Sequence, residues 1–224
     1  MLQLAGVALL ALGATRPAPT LPADVAALTR SIYALSPTPR LVAYLTGGGA
    51  HVSPWLLAVP GASSCVLEMG VPYSRAAIDE LIGPSSDSYC SADAAASLAN
   101  AAYSRARRLS DADGAPCIGL GCSAALRAEP ERRGSHRCFI AVRTAAGIHA
   151  LSLTLAKGAR DRALEDAVVS RAALHGLAHA CGALTPGAGV DDAEARLFWQ
   201  LLPAEAEAEG ATTDEVRTYH VITI

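Results

Sequence analysis

The chain of 224 residues is 51% hydrophobic and carries a formal net charge of −3. This length and apolar content suffice for one substantial core, which excludes disorder for the middle of the chain and favours one main domain. Its 18 basic and 21 acidic residues are well mixed. Because no Lys/Arg cluster is dense enough to follow a phosphate backbone, we expect no nucleic-acid partner.

The six cysteines are scattered, with no C-x-x-C pair and no histidine at ligand spacing. They predict neither a metal site nor a disulfide scaffold, and they indicate a reducing, cytoplasmic compartment. Residues 1–20 form a short apolar run that ends in small residues and lacks a basic start. We interpret this run as an apolar leader; the alternative is a targeting signal, which would direct the protein to an organelle or out of the cell. It is too short to span a bilayer.

Helices and strands alternate in the first part of the chain. Apolar residues at helical spacing predict a helix over 21–36, which two prolines end. Residues 40–46 form a continuous apolar run, which is typical of a strand buried on both faces. A second strand is predicted within 64–73, and a short helix over 52–59 joins the two strands.

Capping signals bound the later helices. Ser74 predicts the start of a helix that Gly83 ends, and Ser91 predicts the start of the longest helix. Apolar runs on either side of Ala146-Gly147 predict an antiparallel hairpin. The remaining predicted elements are a helix over 91–109, a strand over 116–126 broken by Gly119 and Gly121, hairpin strands over 135–144 and 147–155, and a helix over 161–182.

This order of elements predicts an α/β domain over 21–183, a three-layer α/β/α sandwich with a mixed sheet. Residues 184–224 are acidic and low in complexity, and we predict a partly disordered, solvated tail there. Charges are dense just before and within the last helix, which favours a solvated helix start with local ion pairs; the alternative is a contact with a ligand or a partner domain. These charged residues are Lys157, Arg160, Asp161, Arg162, Glu165 and Asp166.

The loop Gly47-Gly48-Gly49 follows the first strand and precedes a helix. Such a junction presents backbone N–H groups and a helix N-terminus to an anion. The loop lacks the third glycine of G-x-G-x-x-G and the lysine of a P-loop, so we predict no cofactor. The alternative is that the glycines make only a tight turn. His51, just after the loop, faces either its ligand or solvent.

Further short motifs accompany this loop in a fixed order. They are Thr46-Gly47-Gly48, "VPGASS" at 59–64, "PYS" at 72–74, "GLGCS" at 119–123 and Gly134. The ordered set resembles the CinA C-terminal domain family, whose bacterial members include nicotinamide-nucleotide amidases. It looks closer still to the CinA-like domain of plant and algal proteins, where that domain precedes a nucleotidylyltransferase-like domain. The resemblance covers about residues 21–183 and implies a three-layer fold with a small nucleotide, such as nicotinamide mononucleotide (NMN), as ligand.

The resemblance fails at the residues that carry the amidase reaction. The amidases have Ser-Cys-Thr-Gly-Gly, in which the serine is taken as the nucleophile, and Tyr44 stands at its position here. They also have Tyr-Ser-Asn-x-x-Lys, in which the lysine partners that serine; Tyr73 and Ser74 match, but Ile78 replaces the lysine. A phenol is a poor acyl acceptor at neutral pH, and isoleucine cannot take a proton. The amidase pair is therefore expected to be absent.

What remains is a set of hydroxyl, amide and guanidinium donors that suits phosphate or ribose. Because ligands gather beyond strand ends in such folds, we expect these residues to converge at one end of the sheet. Cys122 is the candidate for a replacement nucleophile, and the alternative for it is a buried structural thiol. The predicted ligand-binding residues are Thr46, Gly47, Gly48, Gly49, Tyr73, Ser74, Gly121, Ser123 and Arg137.

Three functional hypotheses stay open. The first is a CinA-like domain that binds a small nucleotide without the amidase pair. The second is an active nicotinamide-nucleotide amidohydrolase that uses a non-standard nucleophile or a water held by the loops. The third is an interaction or regulatory module of a nucleotidylyltransferase, and a second copy of the chain is a further candidate partner.

Overall fold

The computed structural model describes residues 21–84, 88–110 and 114–184, together with the backbone of 215–222. The predicted leader over 1–20 and most of the predicted tail lie outside the described residues. In the part of the chain that is described, no helix is long and apolar enough to cross a membrane.

Helices and strands alternate along the domain. The helices are α1 (Ala23–Tyr33), α2 (Val52–Leu57), α3 (Ala62–Cys65), α4 (Arg75–Ile82), α5 (Ala92–Leu109) and α6 (Arg162–Ala180). The strands are β1 (Arg40–Thr46), β2 (Val66–Gly70), β3 (Cys117–Ala125), β4 (His136–Arg143), β5 (Ile148–Leu155) and β6 (Glu215–Ile222).

The strands form one mixed sheet in the order β2-β1-β3-β4-β5-β6. Strand β1 is parallel to both β2 and β3, whereas β4 is antiparallel to β3 and to β5. The predicted hairpin is confirmed, with Arg143 paired with Ile148 next to its turn. The predicted α/β class and mixed sheet are therefore confirmed.

Helices cover both faces of the sheet. Alternate residues of β1 point to opposite sides, and all of them except Arg40 are buried. Leu41 and Leu45 pack in one cluster with Leu174 of α6, together with residues of α1 and α2. Val42 packs on the other side with Leu98 of α5. The three-layer arrangement predicted from the sequence is confirmed, and we name its two sides the α6 face and the α5 face.

The two glycines of β3 allow α5 to approach the sheet closely. The prediction that Gly119 and Gly121 interrupt this strand is wrong, because both lie within continuous β3. An added Cβ at Gly121 would overlap the carbonyl oxygen of Ala95, and one at Gly119 would overlap that of Ala99. These glycines are needed for close packing, and Gly121 lies in a strand rather than in a loop. Ligand binding by Gly121 stays a prediction.

The predicted helix caps are confirmed. The Ser74 hydroxyl accepts a hydrogen bond from the Ala77 N–H at 3.2 Å, and the Ser91 hydroxyl accepts one from the Ala94 N–H at 3.1 Å. Asp161 caps α6 in the same way, through the Leu164 N–H at 2.8 Å. Each such cap contributes about 1 kcal/mol to helix stability.

Strand β6 lies in the segment that the sequence analysis assigns to the acidic tail. It pairs antiparallel with β5, in a register that joins Ile148 to Ile222. The sequence analysis did not predict this strand, because an acidic, alanine-rich stretch of low complexity precedes it.

Candidate functional site

Arg162, in the first turn of α6, joins three segments of the chain. Its guanidinium donates hydrogen bonds to the carbonyl oxygen of Gly47 at 2.9 Å and to that of Arg127 at 3.1 Å. A longer contact of 3.4 Å reaches the hydroxyl of Tyr73. One cation thus holds together the glycine loop, the segment after β3 and the loop after β2.

Asp166, one turn further along α6, binds the residues that follow the glycine loop. Its carboxylate accepts a hydrogen bond from the Ala50 N–H at 3.3 Å and lies 2.5 Å from Nδ1 of His51. The Asp166 side chain is 12% exposed and that of His51 is 44% exposed. His51 therefore contacts the Asp166 carboxylate, and part of its side chain is exposed to solvent.

Glu165 and His136 form a buried pair beneath the same region. Both side chains are almost fully buried, and His136 Nδ1 lies 2.6 Å from a carboxylate oxygen of Glu165. The other carboxylate oxygen accepts the Arg127 N–H at 2.7 Å. Nε2 of His136 is buried and has no hydrogen-bond partner in the described part of the chain.

The burial of Glu165 and Asp166 overturns one prediction for the charged stretch that begins at Lys157. A solvated helix start was expected there, but Glu165 and Asp166 are buried. A buried carboxylate is tolerated only when it is paired and hydrogen-bonded. Arg162, Glu165 and Asp166 are spaced i, i+3 and i+4, which places them on one face of a helix. This spacing is visible in the sequence and is the signal that could have placed these three charges together.

A cavity of about 500 Å³ adjoins this cluster. Its volume is in the range of pockets that hold small molecules. Its walls combine two guanidinium groups, one buried imidazole and two carboxylates, of which Glu131 lies 3.6 Å from the ammonium of Lys157. The lining residues are Arg127, Ala128, Glu129, Glu131, His136, Gly158 and Arg162.

The glycine loop packs tightly against the end of β3. Gly47 and Gly49 have positive φ, and an added Cβ at Gly47 would overlap the carbonyl oxygen of Ala124. At Gly49 an added Cβ would lie 3.2 Å from the Cys122 sulfur. The loop therefore needs glycine for its turn and its packing. Ligand binding by its amides, and by buried Thr46, stays a prediction.

Tyr44 is part of a hydrogen-bonded cluster on the α5 face. Its hydroxyl donates to Glu68 at 2.8 Å, and Arg105 donates to the other oxygen of Glu68 at 2.9 Å. Burial, reinforced by the hydrogen bond to Glu68, raises the pKa of Tyr44 to about 12. The phenol is therefore protonated at neutral pH and is not a nucleophile. A smaller cavity of about 370 Å³ adjoins its ring and the loop after β2.

Cys122 lies in the core of the domain. It is fully buried, and burial, with a smaller contribution from Cys138, raises the pKa of its thiol well above the ordinary value. The thiolate is the reactive form of cysteine, and a buried apolar environment suppresses it. These features support the alternative of a structural thiol.

Of the other predicted binding residues, Tyr73 contacts Arg162, whereas Ser74, Ser123 and Arg137 have partners elsewhere. Tyr73 is exposed and contacts Arg162, whereas the hydroxyl of Ser74 is used as the cap of α4. Ser123 is buried and donates to the carbonyl oxygen of Tyr89. Arg137 stacks over Phe139, with its guanidinium carbon 5.7 Å from the ring centre.

Strand alternation explains why Arg137 is not in the cavity. Neighbouring residues of a strand point to opposite faces. Phe139 packs with Ala95 on the α5 face, so Arg137 lies on that face as well. His136 lies on the α6 face and lines the cavity. The predicted residue Arg137 therefore does not line the cavity, whereas its neighbour His136 does.

Fold and site together define a three-layer α/β domain with a polar cavity at the end of β3, beside the start of α6. Several solved structures have this fold. The competence/damage inducible protein CihA from Agrobacterium tumefaciens is 19% identical in sequence, with a TM-score of 0.54, over 74% of this chain and 99% of that chain. A competence-damaged protein (CinA) superfamily protein from Escherichia coli is 17% identical, with a TM-score of 0.53, over 72% of this chain and 92% of its own.

A third structure, a competence or damage-inducible protein from Enterobacter asburiae, is 16% identical, with a TM-score of 0.55, over 72% of this chain and 98% of that chain. No family model matches the sequence, and no curated protein matches it. At these identities the likeness shows the fold alone. The chain has a CinA-like fold, as the resemblance implied.

Proposed function

We propose that the domain binds a small nucleotide of the NMN type on the α6 face and does not carry out the serine-dependent amidase reaction. The contacts of Arg162 carry this proposal. Its guanidinium joins the glycine loop, Tyr73 and the segment after β3, which are the segments whose motifs resemble a nucleotide-processing family. The same side chain lines the larger cavity.

The charges of the cavity walls match those of a mononucleotide. Arg127 and Arg162 suit a phosphate, because guanidinium groups bind phosphate through several N–H donors. Glu129 and Glu131 line the same space, and carboxylates suit ribose hydroxyls or a positively charged pyridinium ring. NMN carries both a phosphate and such a ring.

The positions of the amidase pair support a binding domain rather than an amidase. Tyr44 donates to Glu68 and is held in its neutral form, and Ile78 is buried in α4. The alternative nucleophile, Cys122, is a buried thiol. None of these three positions supplies a group that is ionised and accessible at neutral pH.

Ligand-dependent thermal stability tests this proposal. A ligand that binds only the folded state raises the unfolding midpoint by mass action. We expect NMN to raise the midpoint, and nicotinamide riboside, which has no phosphate, to raise it less. CTP tests the association with nucleotidylyltransferases that the resemblance implies, and we expect a smaller response to it than to NMN.

Two variants make the assay specific. Arg162→Gln should abolish most of the NMN response, whereas Arg107→Gln should keep it. Arg107 is exposed in the last turn of α5 and does not line the cavity. Ammonia release from NMN should stay at the background level. An unchanged midpoint with every ligand would overturn the proposal, and ammonia release that depends on the protein would replace it with the amidase alternative.

A further inference from the structure

We infer that the cavity on the α6 face contains an anion site formed by the guanidinium groups of Arg127 and Arg162 and by Nε2 of His136. The site takes a phosphate or sulfate group, either free or as part of a larger ligand. For a nucleotide, this inference rests on the proposed function and states where its phosphate lies. For a free anion, it stands independently.

Backbone carbonyl groups hold both arginines of this site. Arg127 donates to the carbonyl oxygen of Arg160 at 3.2 Å, and Arg162 donates to those of Gly47 and Arg127. Carbonyl partners fix the orientation of a guanidinium but do not neutralise it. Among the described residues, neither Arg127 nor Arg162 forms an ion pair with a carboxylate. Each guanidinium also has five N–H donors, so donors remain for a ligand.

A buried imidazole lines the same cavity as these two arginines. His136 is 1% exposed and lines the cavity, yet its Nε2 lacks a hydrogen-bond partner in the described ranges. A buried polar atom without a partner is destabilising, and such atoms are uncommon in native proteins. An anion in the cavity would provide the missing partner.

Glu165 determines which nitrogen of His136 faces the ligand. Its carboxylate is an acceptor, and it already accepts the Arg127 N–H, so it takes the Nδ1 proton of His136. Nε2 is then the nitrogen left for the cavity, where an N–H on it donates to a bound anion.

The remaining groups around His136 fit this arrangement. Charged groups reach it from α6, through Arg162 and Glu165, and from the loop after β3, through Arg127, Glu129 and Glu131. Its strand partner in β5 is Leu155, which carries no charge. Glu131 is 67% exposed and pairs with Lys157, which reduces its repulsion of an anion.

Sulfate is the probe that isolates the protein's contribution, because its charge is constant around neutral pH. The full chain is titrated with sodium sulfate at constant ionic strength, and the Arg127 amide signal is followed by NMR. We expect saturable binding. Arg162→Gln should weaken it at least about tenfold, as for the loss of a charged hydrogen-bond donor.

His136→Asn tests the imidazole itself. An asparagine amide still donates to Glu165, but it has no second nitrogen for the cavity, so sulfate binding should weaken about tenfold. Arg107→Gln should bind sulfate as the unmodified protein does. If the sulfate response does not saturate, or if Arg162→Gln and Arg107→Gln respond alike, the anion site is overturned. If His136→Asn binds sulfate as tightly as the unmodified protein does, the role of His136 is overturned.

A competition experiment separates this inference from the proposed function. Sulfate binding that is unaffected by NMN, with no binding of NMN itself, would leave the anion site intact and reject the nucleotide. NMN binding that neither sulfate nor Arg127→Gln changes would keep the proposed function and reject the anion site.

Discussion

Two carboxylates on opposite faces of the sheet have similar partners but leave different possibilities for a ligand. On the α5 face, Tyr44 and Arg105 use both oxygens of Glu68. On the α6 face, His136 and the Arg127 N–H use both oxygens of Glu165, but His136 keeps an unpartnered nitrogen within the described region, beside a cavity. Tyr44, at the position that the resemblance assigns to the amidase nucleophile, belongs to the first cluster, whereas the cavity of the proposed ligand adjoins the second.

The largest effect is expected from Glu165→Ala. The change leaves His136 Nδ1 and the Arg127 N–H without their acceptor, and each buried polar group that loses its partner costs about 1–3 kcal/mol. Urea unfolding measures this change. Glu131→Gln is the matched control, because Glu131 is mostly exposed and its loss should change stability by less than about 1 kcal/mol. Similar effects of the two variants would show that the buried pair does not stabilise the fold.

The pH dependence of stability tests the burial of His175 in α6. It is buried in α6, and burial lowers its pKa to about 4. The unfolded chain, with a histidine pKa of about 6.5, binds this proton first, so the contribution of neutral His175 to stability is complete above about pH 6.5 and is lost towards pH 4. We expect the free energy of unfolding to fall by about 2–3 kcal/mol over this range.

The contribution of His175 is obtained by comparison with His175→Gln, which has no titrating side chain. Urea unfolding of both proteins at several pH values gives the difference. Equal pH dependence in the two proteins would contradict burial of a neutral imidazole.

Gly121→Ala tests the close packing of the α5 face. Its new Cβ would overlap the Ala95 carbonyl oxygen, and such overpacking typically costs about 1–3 kcal/mol. Gly134→Ala is the control, because an added Cβ there has no atom within 4 Å. Thermal unfolding of both variants separates a packing role for Gly121 from a general effect of replacing glycine. A midpoint for Gly121→Ala as high as that of the control would refute the packing role.

Tyr44→Phe should have the smallest effect. It removes the hydrogen bond to Glu68, which Arg105 still partners, and a single hydrogen bond contributes about 1 kcal/mol. The variant should keep NMN binding unchanged, because Tyr44 lies on the α5 face and does not line the larger cavity. Calorimetric titration with NMN checks this expectation, and a large loss of affinity would place the ligand on the α5 face instead.

Most of the fold could be predicted from the sequence, because the local signals agree with one another. The buried pattern of 40–46, the serine caps and the hairpin turn each depend on neighbouring residues, and the structure confirms them. Strand β6 was not predicted, because its position depends on pairing with the distant β5.

The candidate site was only partly predictable. Its glycine loop and Tyr73 could be found from short motifs, and Arg162 joins them. The cavity also needs Arg127, together with a histidine and a glutamate that lie 29 residues apart in sequence. Strand alternation selects His136 over Arg137, and close helix packing explains Gly121. Both are consequences of tertiary packing, which no local motif reports.

The position of bound NMN tests the central claim most directly. Backbone amide NMR signals of the full chain are recorded during titration with NMN, and the residues whose signals change are located in the fold. We predict that the changes are concentrated at Gly47, Arg127 and Arg162, around the cavity of the α6 face. Changes concentrated at Gly70, Val71 and Ala77, around the smaller cavity beside Tyr44, would contradict the account.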